Sequence, residues 1–415
     1  MQILIYEYAS GGGYAGRPVS SSVLCEGYAM LRALAADFKA AGHSVATILD
    51  SRLVAFKVPL QADCTAQVAS SGELDAAFEA ATESAETNFV IAPESAGVLE
   101  ALVRKVERFG SSSLNCNSAA IHSVANKPML LEHVKRLGIQ VPKSLRVHIH
   151  ETNASVAKSV NEELGFPAIL KPANSTGCSA LSVVNDAKQI ETAIAKIRAI
   201  SPAETFLAQE LILGTAASVS IYSNGQEALP VSLNQQSVTL ATPDADSSYD
   251  SGVVPLKNPF KGQAFSAAKR IVESIRGVRG YLGVDMVLTE DGPIVIEVNP
   301  RLTTSYVGLR MVSGFNLAEA LTDSVLGRKL PVDCDTFGYS YFAKVKTPRP
   351  SQTLLEKSYK LPGVFAPPFP IANDNKAFAL VIAHGETLQS ASLRLERNKR
   401  CLKRTLQSKG EQPRC

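Results

Sequence analysis

Two short segments late in the chain, Gly-Val-Asp-Met-Val-Leu at 283–288 and Ile-Glu-Val-Asn-Pro-Arg at 296–301, constrain the fold more than any other part of the sequence. Both are apolar with a period of two, as strands are, and Glu290-Asp291-Gly292-Pro293 between them is turn chemistry. A reversal centred near Asp291 sets Asp285 and Glu297 opposite each other on paired strands. Like charges directly across a ladder are destabilising, so this pair requires a cation. Asn299, two residues past Glu297, falls on the same face and offers a neutral oxygen. An oxygen-only set with few protein ligands suits Mg²⁺, which binds through one or two carboxylates plus substrate phosphates. Arg301 follows, a planar cation suited to a phosphoryl group or an anionic intermediate. The flanks are too apolar for this face to be freely wet. The pattern is that of a nucleotide-dependent enzyme.

This hairpin resembles the ATP-grasp superfamily, whose members bind ATP–Mg²⁺ between two small α+β lobes, and the resemblance runs over most of the chain. It implies a mixed α/β and α+β architecture, an ATP-grasp fold with an N-terminal Rossmann-like (pre-ATP-grasp) domain. Residues 1–112 alternate strand and helix, which predicts a parallel, doubly wound sheet. Strands dominate 167–300, with a hairpin at Asn224-Gly225, the strongest short hairpin signal. Residues 335–375 read as irregular, 377–383 as a strand and 388–406 as an increasingly basic helix. The expected division is 1–115 for the Rossmann-like domain, 116–205 for the nucleotide lobe, 206–332 for the Mg²⁺-binding lobe and 333–415 for a C-terminal segment.

Phe166-Pro167-Ala168-Ile169-Leu170-Lys171-Pro172 reads as a buried strand ending in a lysine, followed by the small polar loop 173–180. Backbone N–H groups of such a loop can wrap phosphates while the lysine acts as a point charge. Taken alone, the segment fits an ordinary turn after a surface lysine equally well. No Walker A motif is present. By resemblance, Lys171 and the loop residues Ser175, Thr176 and Gly177 meet the phosphates. Lys127, at a helix start, matches the family's earlier ATP-contacting lysine. Gln209, Glu210, Leu211 and Ile212 match the adenine edge; a Gln-Glu pair inside an apolar strand needs partners. The stretch 215–218 lacks the acidic residue that many members place near the ribose. The implied cofactors are ATP and Mg²⁺, with Mn²⁺ able to substitute, and the catalytic cations are Arg301 and Lys171.

Ser10-Gly11-Gly12-Gly13-Tyr14-Ala15-Gly16 formally matches G-x-G-x-x-G and supports a rival, an NAD-dependent oxidoreductase. Against it, Arg17-Pro18-Val19-Ser20 intervenes before the helix, so pyrophosphate would not meet a helix N-terminus. The acidic residue ending the second strand, Asp50, lies well beyond the spacing of about 20 that the motif expects. The same loop begins Glu7-Tyr8-Ala9-Ser10-Gly11, which resembles the start of the tyramine–glutamate ligases of methanofuran biosynthesis. The segment Leu233-Asn234-Gln235-Gln236 and the run through Tyr306 resemble that group too. The resemblance implies that glutamate is joined to tyramine or tyrosine through an acyl phosphate, with Glu7, Ser10, Gly11, Asn234, Gln235 and Tyr306 near the substrates. Glu7 could hold an ammonium or cap its own loop. A different amino-acid pair is the alternative within the family.

A net charge of +3, with no aromatic-interleaved basic patch, argues against nucleic acid. No apolar run reaches membrane-spanning length. Seven scattered cysteines without C-x-x-C spacing fit reduced thiols in a cytoplasm. The expected partners are small molecules, an amino acid and an amine, and a homodimer is compatible.

Overall fold

The first strand sets the architecture. Ile3, Leu4, Ile5 and Tyr6 are all at most 1% exposed, the two-sided burial of a strand inside a parallel sheet. Gln2–Glu7 (β1), Ser44–Asp50 (β2), Cys64–Val68 (β3), Thr87–Ile91 (β4) and Ser112–Ser113 (β5) form that sheet in the order β3-β2-β1-β4-β5. Strand order reverses between β1 and β4, which are parallel neighbours with Glu7 opposite Ile91. Loops leaving the carboxyl ends of two such strands border a crevice where ligands bind in open α/β sheets. The computed structural model describes residues 1–174, 177–201, 203–332, 334–371 and 376–407.

A second, antiparallel sheet combines Ser144–His148 (β6), Ala168–Pro172 (β7), Ser182–Val184 (β8) and Thr205–Glu210 (β9) in the order β6-β9-β7-β8. The helices Asn153–Glu163 and Ile190–Ile200 cover it and build its own apolar core. The third sheet is larger. Thr215–Ser223 (β10), Ala228–Thr239 (β11), Ser248–Val254 (β12), Gly280–Thr289 (β13), Gly292–Asn299 (β14), Tyr339–Pro348 (β15), Val364–Ala366 (β16) and Lys376–Gly385 (β17) run β14-β13-β10-β11-β12-β15-β17-β16. The Asn224-Gly225 reversal joins β10 to β11, as its turn chemistry predicts.

Part of the expectation for 335–375 is overturned. This stretch holds β15, the helix Gln352–Tyr359 and β16. β15 is central, paired with β12 on one side and β17 on the other. The period-two signal was there in Tyr339-Ser340-Tyr341-Phe342-Ala343-Lys344-Val345, and the prolines that obscured it lie at its end and beyond. Cys25, Cys64, Cys116, Cys178 and Cys334 are free, whereas Cys401 is disulfide-bonded, which corrects the expectation of reduced thiols throughout. Among the described residues no helix is long and apolar enough to cross a membrane.

Candidate active site

The carboxylate pair forms where the hairpin pattern places it. β13 and β14 are antiparallel partners, Asp285 stands opposite Glu297, and a bulge follows immediately. Two unit charges about 5 Å apart, at an effective dielectric of about 20, repel by roughly 3 kcal/mol. The protein answers the two carboxylates differently. Lys127 Nζ lies 2.9 Å from Glu297 Oε2. Asn299 Nδ2 donates to Asp285 Oδ2 at 3.0 Å, and Gln236 Nε2 donates to Oδ1 at 3.2 Å. Burial and the facing Glu297 push the Asp285 carboxyl up to about 7, against the pull of Asn299, Arg301 and Gln236. Burial works to raise Glu297 too, but Lys127 and Lys171 outweigh it and hold that carboxyl below its usual range.

Each cation is held by its own element. Lys127 opens the helix Lys127–Arg136, whose Asn126 cap accepts from Met129 N, with Pro128 fitting the first turn. A helix N-terminus attracts anions, which suits both Glu297 and a phosphate. Lys171 sits inside β7, 4% exposed; burial lowers its ammonium to about 8, opposed by Glu297 and reinforced by Lys127. Arg301 leaves the end of β14, where its Nε lies 3.0 Å from Glu94 Oε1 and its Nη1 donates to Leu302 O at 3.1 Å. Glu94, 6% exposed, comes from the loop after β4 of the parallel sheet. Lys127, Lys171 and Arg301 therefore face Asp285, Glu297 and Glu94 across three sheets.

Residues 177–180 of the small-residue loop are described. Gly177, Cys178 and Ala180 have φ of 63°, 64° and 53°, and left-handed residues can turn backbone N–H groups toward an anion. Cys178 is pushed up to about 12 by burial, with Glu297, Glu26 and Asp285 adding to the rise and Lys344 opposing it. Ser175 and Thr176 lie outside the described residues. A Lys171→Ala protein should bind ATP about tenfold more weakly or worse, the loss of one charge-assisted contact, with unchanged amine preference. Nucleotide titration checks this, and an unchanged affinity would make Lys171 an ordinary interior lysine.

Gln209 to Ile212 join the second sheet to the third. Gln209 Nε2 donates to Ser144 Oγ at 2.7 Å, and Glu210 Oε1 accepts from Lys143 N at 2.7 Å. These are the partners a polar pair in an apolar strand requires. Leu211 and Ile212 follow, half-buried, in the connection between β9 and β10.

Several residues expected near the substrates have partners within the protein. Glu7 is 4% exposed and accepts from Ala9 N at 3.0 Å, Ser10 N at 2.7 Å and Ser10 Oγ at 2.6 Å. Gly11 N donates to Glu7 O at 2.7 Å. The loop is thus capped by its own carboxylate, the second of the two roles the sequence left open. Burial raises that carboxyl, but Ser10, Ala9 and the charge of Arg301 oppose the shift. Tyr306 donates to Asp37 Oδ2 at 2.9 Å, while Arg310 Nη2 donates to Asp37 Oδ1 at 2.7 Å. It ties the helix Ser305–Leu309 to the helix Ser21–Ala40. Asn234, fully buried, donates to Ser220 Oγ at 2.9 Å and accepts from Ser232 Oγ at 2.7 Å. Gln235 is half-buried on the other face of β11, so Gln236 is the member of that segment that touches the site.

The dinucleotide motif provides no cradle. A Cβ on Gly11 would come within 2.4 Å of Glu7 O, and one on Gly13 within 2.4 Å of the Tyr8 ring. These glycines accommodate the protein's own side chains and backbone, not a pyrophosphate.

The donor set does fit Mg²⁺. Among the described residues no group of three or more His, Cys, Asp or Glu side chains could hold a metal ion. Two carboxylates and an amide oxygen are what a cation that keeps substrate phosphates in its shell needs from protein. A carboxyl raised to about 7 by burial and by its neighbour Glu297 is the group that such a cation would relieve.

Comparison with known proteins agrees with this geometry. An ATP-grasp domain model matches residues 124–305, and a pre ATP-grasp 3 domain model matches residues 43–121. The chain is 26% identical to a tyramine–L-glutamate ligase from Methanocaldococcus jannaschii over 79% of this chain and 90% of the relative. The biotin carboxylase domain of the Hydrogenobacter thermophilus 2-oxoglutarate carboxylase, in complex with MgADP, ADP and bicarbonate, has a TM-score of 0.72 at 14% identity, covering 98% of this chain and 94% of that one. N5-carboxyaminoimidazole synthase from Aspergillus clavatus, in complex with ADP and its ribonucleotide, has a TM-score of 0.68 at 16% identity, covering 97% and 98%. With these two the likeness is one of fold.

Proposed function

We propose that this chain, with its ATP-grasp fold behind a pre-ATP-grasp domain, is a carbon–nitrogen ligase that joins L-glutamate to tyramine or tyrosine. The observation that carries the reading is the convergence of Asp285, Glu297 and Asn299 with Lys127, Lys171 and Arg301. The relative that matches across 79% of the chain supports the choice of substrates.

Asp285, Glu297 and Asn299 would hold Mg²⁺, which when bound offsets phosphate charge. Lys127 and Lys171 hold the nucleotide in line with the substrate carboxylate, which takes the γ-phosphoryl group as an acyl phosphate. Arg301 meets the charge that develops on the transferring group and on the tetrahedral adduct formed by the amine. Phosphate then leaves and the amide remains. No side chain acts as a covalent nucleophile; positioning and electrostatics carry the rate.

The test is incubation of the full chain with ATP, Mg²⁺, glutamate and a panel of amines, read by mass spectrometry and ADP release. Tyramine or tyrosine should give a glutamyl amide with one ADP per product. Phenethylamine is the informative competitor, because a site that hydrogen-bonds the phenol rejects an analogue lacking the hydroxyl far more strongly than one lacking a methylene. ADP release that requires a different acid, or no incorporation of any aromatic amine, would overturn this substrate assignment.

A further inference from the structure

A second charged group lies beside the phosphoryl site and has no part in the steps above. Lys344 of β15 places Nζ 2.7 Å from Glu26 Oε1 and 2.8 Å from Ser22 Oγ, one turn apart on the helix Ser21–Ala40. The lysine side chain is 7% exposed and the glutamate 21%. Glu26 Oε2 accepts from Thr304 Oγ1 at 3.1 Å, three residues beyond Arg301. The Tyr249 ring centre lies 5.8 Å from Lys344 Nζ. The Tyr249 hydroxyl is buried, with Ser305 as its side-chain neighbour. Cys178 feels the charges of Glu26 and Lys344 together with those of Glu297 and Asp285.

We propose that Lys344 and Glu26, with the Tyr249 hydroxyl, form the seat for the zwitterionic head of the amino-acid substrate. Lys344 takes its carboxylate and Glu26 its ammonium. This assignment rests on the ligase reading above, in which one substrate is an amino acid. The chemistry follows from the pair itself. Each member complements one half of an amino-acid head, and inserting that head exchanges one ion pair for two with no change in net charge. Before the substrate arrives, the two charges satisfy each other, which lets both remain largely buried. The buried Tyr249 hydroxyl beside Ser305 is a further donor or acceptor for the same head. The seat is assembled from the N-terminal helix and the C-terminal strand, 318 residues apart.

Binding is the direct test. Calorimetric titration of the full chain with glutamate, glutarate (no ammonium) and 4-aminobutyrate (one carboxylate fewer) would be compared for wild type, Lys344→Met and Glu26→Gln. Wild type should bind glutamate at least about tenfold more tightly than either analogue, one charge-assisted contact each. Lys344→Met should lose that tenfold for glutamate and leave 4-aminobutyrate unchanged; Glu26→Gln should lose it for glutamate and leave glutarate unchanged. ATP affinity should hold within about twofold, a factor well under 1.4 kcal/mol. A merely structural pair would weaken all three ligands alike, and that result overturns the seat, as does wild-type protein that binds no glutamate. If a single variant unfolds, the double variant Lys344→Met/Glu26→Gln removes both charges together and must still lose glutamate selectivity. ADP release with glutamate and tyramine is scored separately. The selective binding pattern without ADP release would sink the ligase reading and leave the seat standing.

Discussion

Glu297→Gln should cut turnover at saturating ATP by about 100-fold or more while the chain stays folded. Even substitutions behind a metal ligand commonly cost 10- to 100-fold, and Glu297 is placed to be a ligand itself. Glutamine preserves the shape and removes the charge that holds Lys127 at 2.9 Å and acts on Lys171. The fold tolerates the change because Asp285 is raised by Glu297 as well as by burial. Relieved of that neighbour, Asp285 ionises more readily and continues to balance the lysines. Turnover across a Mg²⁺ titration, with the thermal midpoint measured in parallel, checks both parts. Wild-type rates at limiting Mg²⁺ would remove Glu297 from the metal set.

Arg301→Met should lower kcat by about 10²- to 10³-fold, the usual cost of one donor aimed at developing negative charge, with little effect on ATP binding. Stability complicates the single substitution. Arg301 and Glu94 are both mostly buried, with side chains 15% and 6% exposed, and removing one leaves the other uncompensated at a cost of about 3–5 kcal/mol. The double variant Arg301→Met/Glu94→Gln separates the two effects. It should regain much of the lost thermal midpoint and none of the turnover. Recovery of turnover in the double variant would show that Arg301 serves only to neutralise Glu94.

The hairpin around Asp291 was legible because strand period, turn chemistry and the spacing of two carboxylates all lie within a few residues of one another. The structure pairs Asp285 with Glu297 as that pattern requires. Lys171 and Lys127 were marked only by the family resemblance, since a strand-end lysine and a lysine at a helix start fit ordinary surface positions equally well. β15 was legible in its alternation and was obscured by neighbouring prolines.

The partners were not legible. Glu94 meets Arg301 across 207 residues, Gln236 meets Asp285 across 49, and Glu26 meets Lys344 across 318. No local pattern marks these residues, because each lies on a surface that gains meaning only when a second element packs against it. Tyr306, Asn234 and Glu7 show the converse. Each is a polar residue in a suggestive segment, and each is committed to a partner inside the fold, Asp37, Ser220 and the Ser10 loop respectively. Periodicity and turn chemistry act between residues near in sequence, so the sequence alone settled that the 283–299 hairpin forms and which of its faces carries the carboxylates. Coulomb and hydrogen-bond energies depend on distance in space and on exclusion of water, so only the tertiary structure decided which charge answers which.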